Sequence, residues 1–188
     1  MRARLAKAAY DVIREKGHSA FRTAMVAAQA GVSQGAQAHH FATKEDLVLA
    51  ALEYAFEEAG RQSAEAAAGK KAPASALKAM IADFKLFFFG DAFWSGLDIT
   101  IAAAKDEAES NQVLSAVKRY RAPVYALWRD ALIRAGWKPK DSEDIVSMTA
   151  ALIAGIGVRN LWDDADRIVD QLMARWIGIV QKEWPPKS

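Results

Sequence analysis

Gln34, Gln37, His39 and His40 fall within seven consecutive residues, and each carries a side chain that can hydrogen-bond the edge of a flat partner. A glutamine amide sets one donor beside one acceptor, which matches N6 and N7 of adenine. Histidine offers a ring donor or acceptor in the same plane. Gly35 stands between them with no side chain, so a backbone can come close to a surface there. Ala36 offers a methyl that can meet the methyl of thymine. This is the chemistry of reading base pairs from the major groove, and it needs a short, rigid support.

The support is visible in the stretch RTAMVAAQAGVSQGAQAHHFATK, residues 22–44. A helical pattern runs over 23–30. Gly31 then permits the left-handed conformation that ends a helix in a tight turn. Ser33 is a good N-cap for a second helix over 34–40. Val26, Ala27, Ala30, Val32 and Phe41 give the two helices one shared apolar seam, and Ala27 is small enough for a close crossing. Two short helices around a glycine turn, the second of them polar, are expected to form a helix-turn-helix whose second helix enters the DNA major groove.

Within this region AQAGVSQGAQAHHFATKEDL resembles the N-terminal domain of the TetR (tetracycline-repressor) family of transcriptional regulators. The resemblance covers about residues 4–52. Beyond them it is one of length and helical pattern. It implies a DNA-binding head at 1–52, an effector-binding and dimerisation body at 53–188, and double-stranded DNA as a partner. It also implies a phosphate contact for Lys44, with which Thr23 and the N-terminal arginines are grouped. The chain departs from the family at Gln37-Ala38, where Leu-Tyr is usual. Ala38 has no hydroxyl, so the family's tyrosine–phosphate contact does not carry over. Gln37 is read as facing the groove; the alternative is burial at the position the family gives to leucine.

Charge supports a nucleic-acid footprint at one end. Residues 1–44 hold seven Lys or Arg against two acidic side chains, while the rest hold 18 against 21, for a formal net charge of only +2. Hydrophobic residues make up 52% of the 188, enough for a sizeable core. Without cysteine there is neither a disulfide framework nor a thiolate site. The N-terminus lacks the apolar segment of a signal peptide, and the longest apolar run, 145–158, is short of the ~20 residues a membrane helix needs. The expectation is a cytoplasmic protein without a membrane partner.

The remaining chain reads as helices throughout, about nine in all, with no confident strand. The first covers 2–16, with Leu5, Ala9, Val12 and Ile13 on one face. Thr43 and Asp46 are placed to form an acidic capping box for the next, which reaches Ala67. A Gly-, Lys- and Pro-bearing loop follows at 68–74, then helices over 75–89, 91–104, 113–135, 141–161 and 165–183. Residues 105–112 read as a polar turn. Pro123 is expected to kink the long helix, and Asp163, Asp164 and Asp166 to cap the last one.

The last two helices are apolar on more than one side, which a surface helix of a monomer does not need. They are read as a homodimer interface, a four-helix bundle with a second copy, through Ile153, Gly157, Leu161, Leu172, Trp176 and Ile179. The body is also rich in aromatic residues. Given the resemblance, Phe84, Phe87, Phe88, Trp94, Tyr120, Trp128 and Trp162 are assigned to a pocket for an apolar or aromatic effector. There is no Gly-rich phosphate loop, zinc-protease motif or nucleophile elbow, and adjacent His39 and His40 point to different sides of a helix. Neither an enzyme nor a cofactor is expected. The reading is an all-α, ligand-responsive regulator, taken as a repressor that binds a palindromic operator as a dimer. The alternative is a helical small-molecule-binding protein that has lost DNA binding, which Gln37 and Ala38 favour.

Overall fold

The computed structural model describes residues 1–69, 72–162 and 166–187, without the side chains of Asp166 and Arg167. Asp163 and Asp164, expected to cap the last helix, lie outside the described residues, as does the side chain of Asp166. Among the described residues there are nine helices and no strands: α1 (Arg2–Lys16), α2 (Thr23–Gln29), α3 (Gln34–His40), α4 (Lys44–Ala67), α5 (Pro73–Phe88), α6 (Asp91–Ala103), α7 (Glu107–Arg134), α8 (Pro139–Arg159) and α9 (Asp166–Glu183). No single helix is long and apolar enough to cross a membrane among the described residues.

Two compact units share these helices. The first comprises Met1–Gly60 and Asp91–Arg121, the second Arg61–Gly90 and Ala122–Ser188. In the first, the apolar face of α1 (Leu5, Ala9, Val12, Ile13) is buried together with Phe21, Val26, Phe41, Leu47 and Leu52. Some fifty residues bury little core by themselves. The unit accordingly adds Ile99 and Ala103 of α6 and Val113 and Ala116 of α7 to its interior. The capping box at the start of α4 is formed in both directions. Thr43 Oγ1 accepts from the Asp46 amide at 3.0 Å, and the Asp46 carboxylate accepts from the Thr43 amide at 3.2 Å.

Of the polar stretch at 105–112, Lys105 and Asp106 lie in the expected turn, whereas residues 107–112 are the opening of α7. Asp106 caps it, accepting the Glu109 amide at 2.8 Å, and Glu107 and Glu109 favour the positive end of the helix dipole. Their polarity marks a helix start. Pro123 lies inside α7, which is assigned as one helix.

In the second unit Leu77, Met80, Phe84 and Phe88 of α5 are buried with Trp128 and Leu132 of α7, Ile145 and Ile153 of α8, and Met173, Trp176 and Val180 of α9. The C-terminal segment is fastened to the turn between α7 and α8. Trp137 Nε1 donates to the Trp184 carbonyl at 2.7 Å and the Lys187 amide to the Gly136 carbonyl at 2.9 Å.

Candidate functional site

The α2–turn–α3 segment takes the expected form. Gly31 has φ 63, the left-handed geometry that an L side chain rarely adopts, and it sits where α2 must stop. Val32 then donates its amide back to the Ala27 carbonyl at 3.0 Å. Ser33 caps α3, its Oγ accepting from the Ala36 amide at 3.1 Å. Val26, Ala27, Ala30 and Phe41 of the predicted seam are buried.

Gln34, Gly35 and His39 are exposed along α3; Ala36, His40, Thr23 and Lys44 are half-buried. Gln37 corrects the groove-facing expectation. It is 4% exposed, and its Nε2 donates to the Phe41 carbonyl at 2.9 Å. The side chain thus occupies the inward position, and its amide caps a carbonyl just past the end of α3. Burial is tolerable because this hydrogen bond replaces one lost to water.

The basic residues of this unit divide by partner. Lys7 pairs with Asp11 at 2.7 Å, and Arg14 lies 3.5 Å from Glu15. Lys44 Nζ lies 5.9 Å from the centre of the Phe21 ring. Arg2, grouped with the phosphate contacts from sequence, donates to the His40 carbonyl and lies over the Phe41 ring at 4.1 Å. Burial, joined by the charge of Lys44, lowers the pKa of His18 and so favours its neutral imidazole. The His18 backbone amide donates to Asp98 on α6 at 2.7 Å.

Of the seven aromatic residues assigned to an effector pocket, Phe84, Phe87, Phe88 and Trp128 are buried within the second unit. Phe84 meets Phe88 and Tyr125 edge-on, at 6.1 and 5.9 Å between ring centres. Trp94 and Tyr120 belong to the first unit and are half-buried. Trp162 is 72% exposed, in the turn after α8, which corrects its placement in a buried pocket. Sequence reasoning missed Asp83. It is 7% exposed, and its two oxygens accept from Ser63 Oγ at 3.0 Å and Trp128 Nε1 at 2.7 Å. A carboxylate needs such donors to be buried. The signal was available, because Asp83 lies three residues from Met80 and four from Phe87, on the apolar face of α5.

The dimer residues also divide. Ile153 and Gly157 face the interior of their own chain, a correction to the expected interface, whereas Trp176, 7% exposed, is largely buried but still borders the groove of α8 and α9. Trp176 Nε1 donates to Thr149 Oγ1 at 2.8 Å. A Cβ on Gly157 would stand 3.0 Å from the Phe88 carbonyl oxygen, so this glycine serves the α5–α8 contact. Leu161, Leu172 and Ile179 are exposed. With Met148, Ala151, Leu152, Ile156, Met173, Arg175 and Trp176, the last two line an apolar groove of about 660 Å³ along α8 and α9.

A helix-turn-helix with an exposed polar second helix, in an all-helical chain, defines a helix-turn-helix DNA-binding protein. The family described as bacterial regulatory proteins, tetR family, matches residues 5–51. Over 159 residues the chain is 38% identical to the HTH-type transcriptional regulator CymR of Pseudomonas putida, spanning 85% of this chain and 78% of that protein. Among solved structures, a transcriptional regulator from Rhodococcus sp. Rha1 is similar over the whole of both chains, with a TM-score of 0.75 at 21% identity. The multidrug binding protein EbrR complexed with proflavin is similar over 93% of this chain and 98% of its own, with a TM-score of 0.61 at 23% identity. The chain belongs to the TetR family of helix-turn-helix transcriptional regulators.

Proposed function

We propose that this regulator is a ligand-responsive repressor that binds a palindromic operator as a homodimer in the cytoplasm. Residues 1–52 form the DNA-binding head and residues 53–188 the effector-binding and dimerisation body. The observation that carries the reading is α3 itself: a capped helix on which Gln34, Gly35, Ala38 and His39 are exposed, followed in the chain by the half-buried Lys44. Gln34 and one of His39 and His40 read base edges, Gly35 and Ala36 allow close approach, and Thr23 and Lys44 hold phosphate. Selection from a randomised duplex pool tests it. Enrichment of a palindrome with half-sites about one helical turn apart is expected. Failure to enrich any sequence would favour the second reading, a helical small-molecule-binding protein without DNA binding, for which the hydroxyl missing at Ala38 speaks.

The effector is an apolar or aromatic molecule, received among the buried Phe84, Phe87, Phe88 and Trp128, the last of which donates to Asp83. EbrR, which shares the fold, is complexed with a planar aromatic dye. An effector lowers DNA affinity by binding better to a body arrangement whose heads are wrongly spaced for the operator. The dimer forms through the exposed stripe of α8 and α9, where the part of each leucine- or isoleucine-sized side chain still in water is removed from it.

A further inference from the structure

We propose that Arg2 is a positioning residue for the recognition helix, fixing the C-terminal end of α3, and that it is not a phosphate contact. The inference rests on reading α3 as the base-reading element. With seven residues α3 is two turns long. Isolated helices below about 12 residues are marginal, so its ends must be held from outside. The N-terminal end is held by Ser33. At the other end the last carbonyls have no partner further along the helix. Two side chains supply donors there. Gln37 Nε2 reaches the Phe41 carbonyl, and Arg2 reaches the His40 carbonyl from the start of α1, 38 residues away in sequence.

The chemistry suits arginine. Its guanidinium lies 4.1 Å over the ring of Phe41, which is 3% exposed and anchored in the core of the unit. The guanidinium carbon sits over the ring while one of its terminal N–H groups donates to the carbonyl. A lysine ammonium cannot meet both demands with a fixed orientation. A cation at the C-terminal end of a helix is also favoured by the helix dipole. Arg2 thereby ties α1 to the last turn of α3, which carries His39 and His40.

Arg2→Lys and Arg2→Met separate this role from phosphate binding. Amide hydrogen exchange is measured on the free full-length variants. Affinity is measured over a salt series for two probes: the duplex enriched from a randomised pool and a scrambled duplex of the same composition. Both substitutions are expected to speed exchange at the His40 and Phe41 amides by about fivefold. Both are expected to lower the selected-over-scrambled affinity ratio by a similar factor, with an unchanged salt slope. Unchanged exchange in both variants overturns the proposal. So does full retention of the ratio by Arg2→Lys together with a slope reduced by about one per subunit in Arg2→Met, the signature of a lost phosphate contact. If no duplex is enriched, the operator reading falls, while the exchange measurement still decides whether Arg2 holds α3.

Discussion

Gln37 and Gln34 are chemically identical and three residues apart, yet they face opposite environments. Gln34 is exposed on α3, whereas Gln37 is buried with its amide on the Phe41 carbonyl. Gln37→Leu should therefore leave the base preference intact in a pool selection. Its melting temperature should shift by only a few degrees, because added apolar burial opposes the loss of a donor to the Phe41 carbonyl. Gln34→Ala should leave melting unchanged and relax discrimination at one base pair per half-site by roughly 1–3 kcal/mol, read from affinities for single-base variants of the operator. Asp83 behaves differently from both. Asp83→Ala would strand the buried indole N–H of Trp128, lowering stability by roughly 2–3 kcal/mol in urea unfolding. Asp83→Asn keeps an acceptor oxygen and should lose less. Sequence shows that Gln37 is polar, but its direction depends on where the buried Phe41 presents its carbonyl, and that is a tertiary fact.

At the scale of elements, local chemistry was legible and facing was not. The Ser33 cap, the Gly31 turn and the Thr43–Asp46 box each involve residues within a few positions of one another, and all three form as read. The double apolar stripe of α8 and α9 was equally plain, but a helical pattern does not say which stripe turns inward. The Phe88 carbonyl beside Gly157 settles it. Gly157→Leu should consequently disturb folding of the single chain, visible as a lower urea midpoint, and is no clean probe of association. Leu152→Arg and Ile179→Glu alter side chains that are 41% and 48% exposed. Each should give a folded monomer in sedimentation, with melting close to that of a dissociated wild-type chain. A dimer that survives both changes would rule out this face.

For the molecule as a whole, the near-neutral total hides a basic first stretch on a mildly acidic remainder. Association with DNA should weaken steeply as salt rises, in proportion to the phosphates neutralised. Lys44→Ala should lower affinity for specific and scrambled duplexes alike and reduce the salt slope by about one per subunit, measured by titration at several ionic strengths. An unchanged slope would remove Lys44 from the phosphate contacts. The six tryptophans also make the protein a light source with sharply different settings. Trp162 stands in solvent, whereas Trp128 is fully enclosed with its indole held by a carboxylate. Iodide in the buffer should extinguish the red-shifted emission of the first and leave the blue emission of the second, so that, with the effector site as proposed, a ligand arriving beside Asp83 should announce itself as a change of colour without any attached dye.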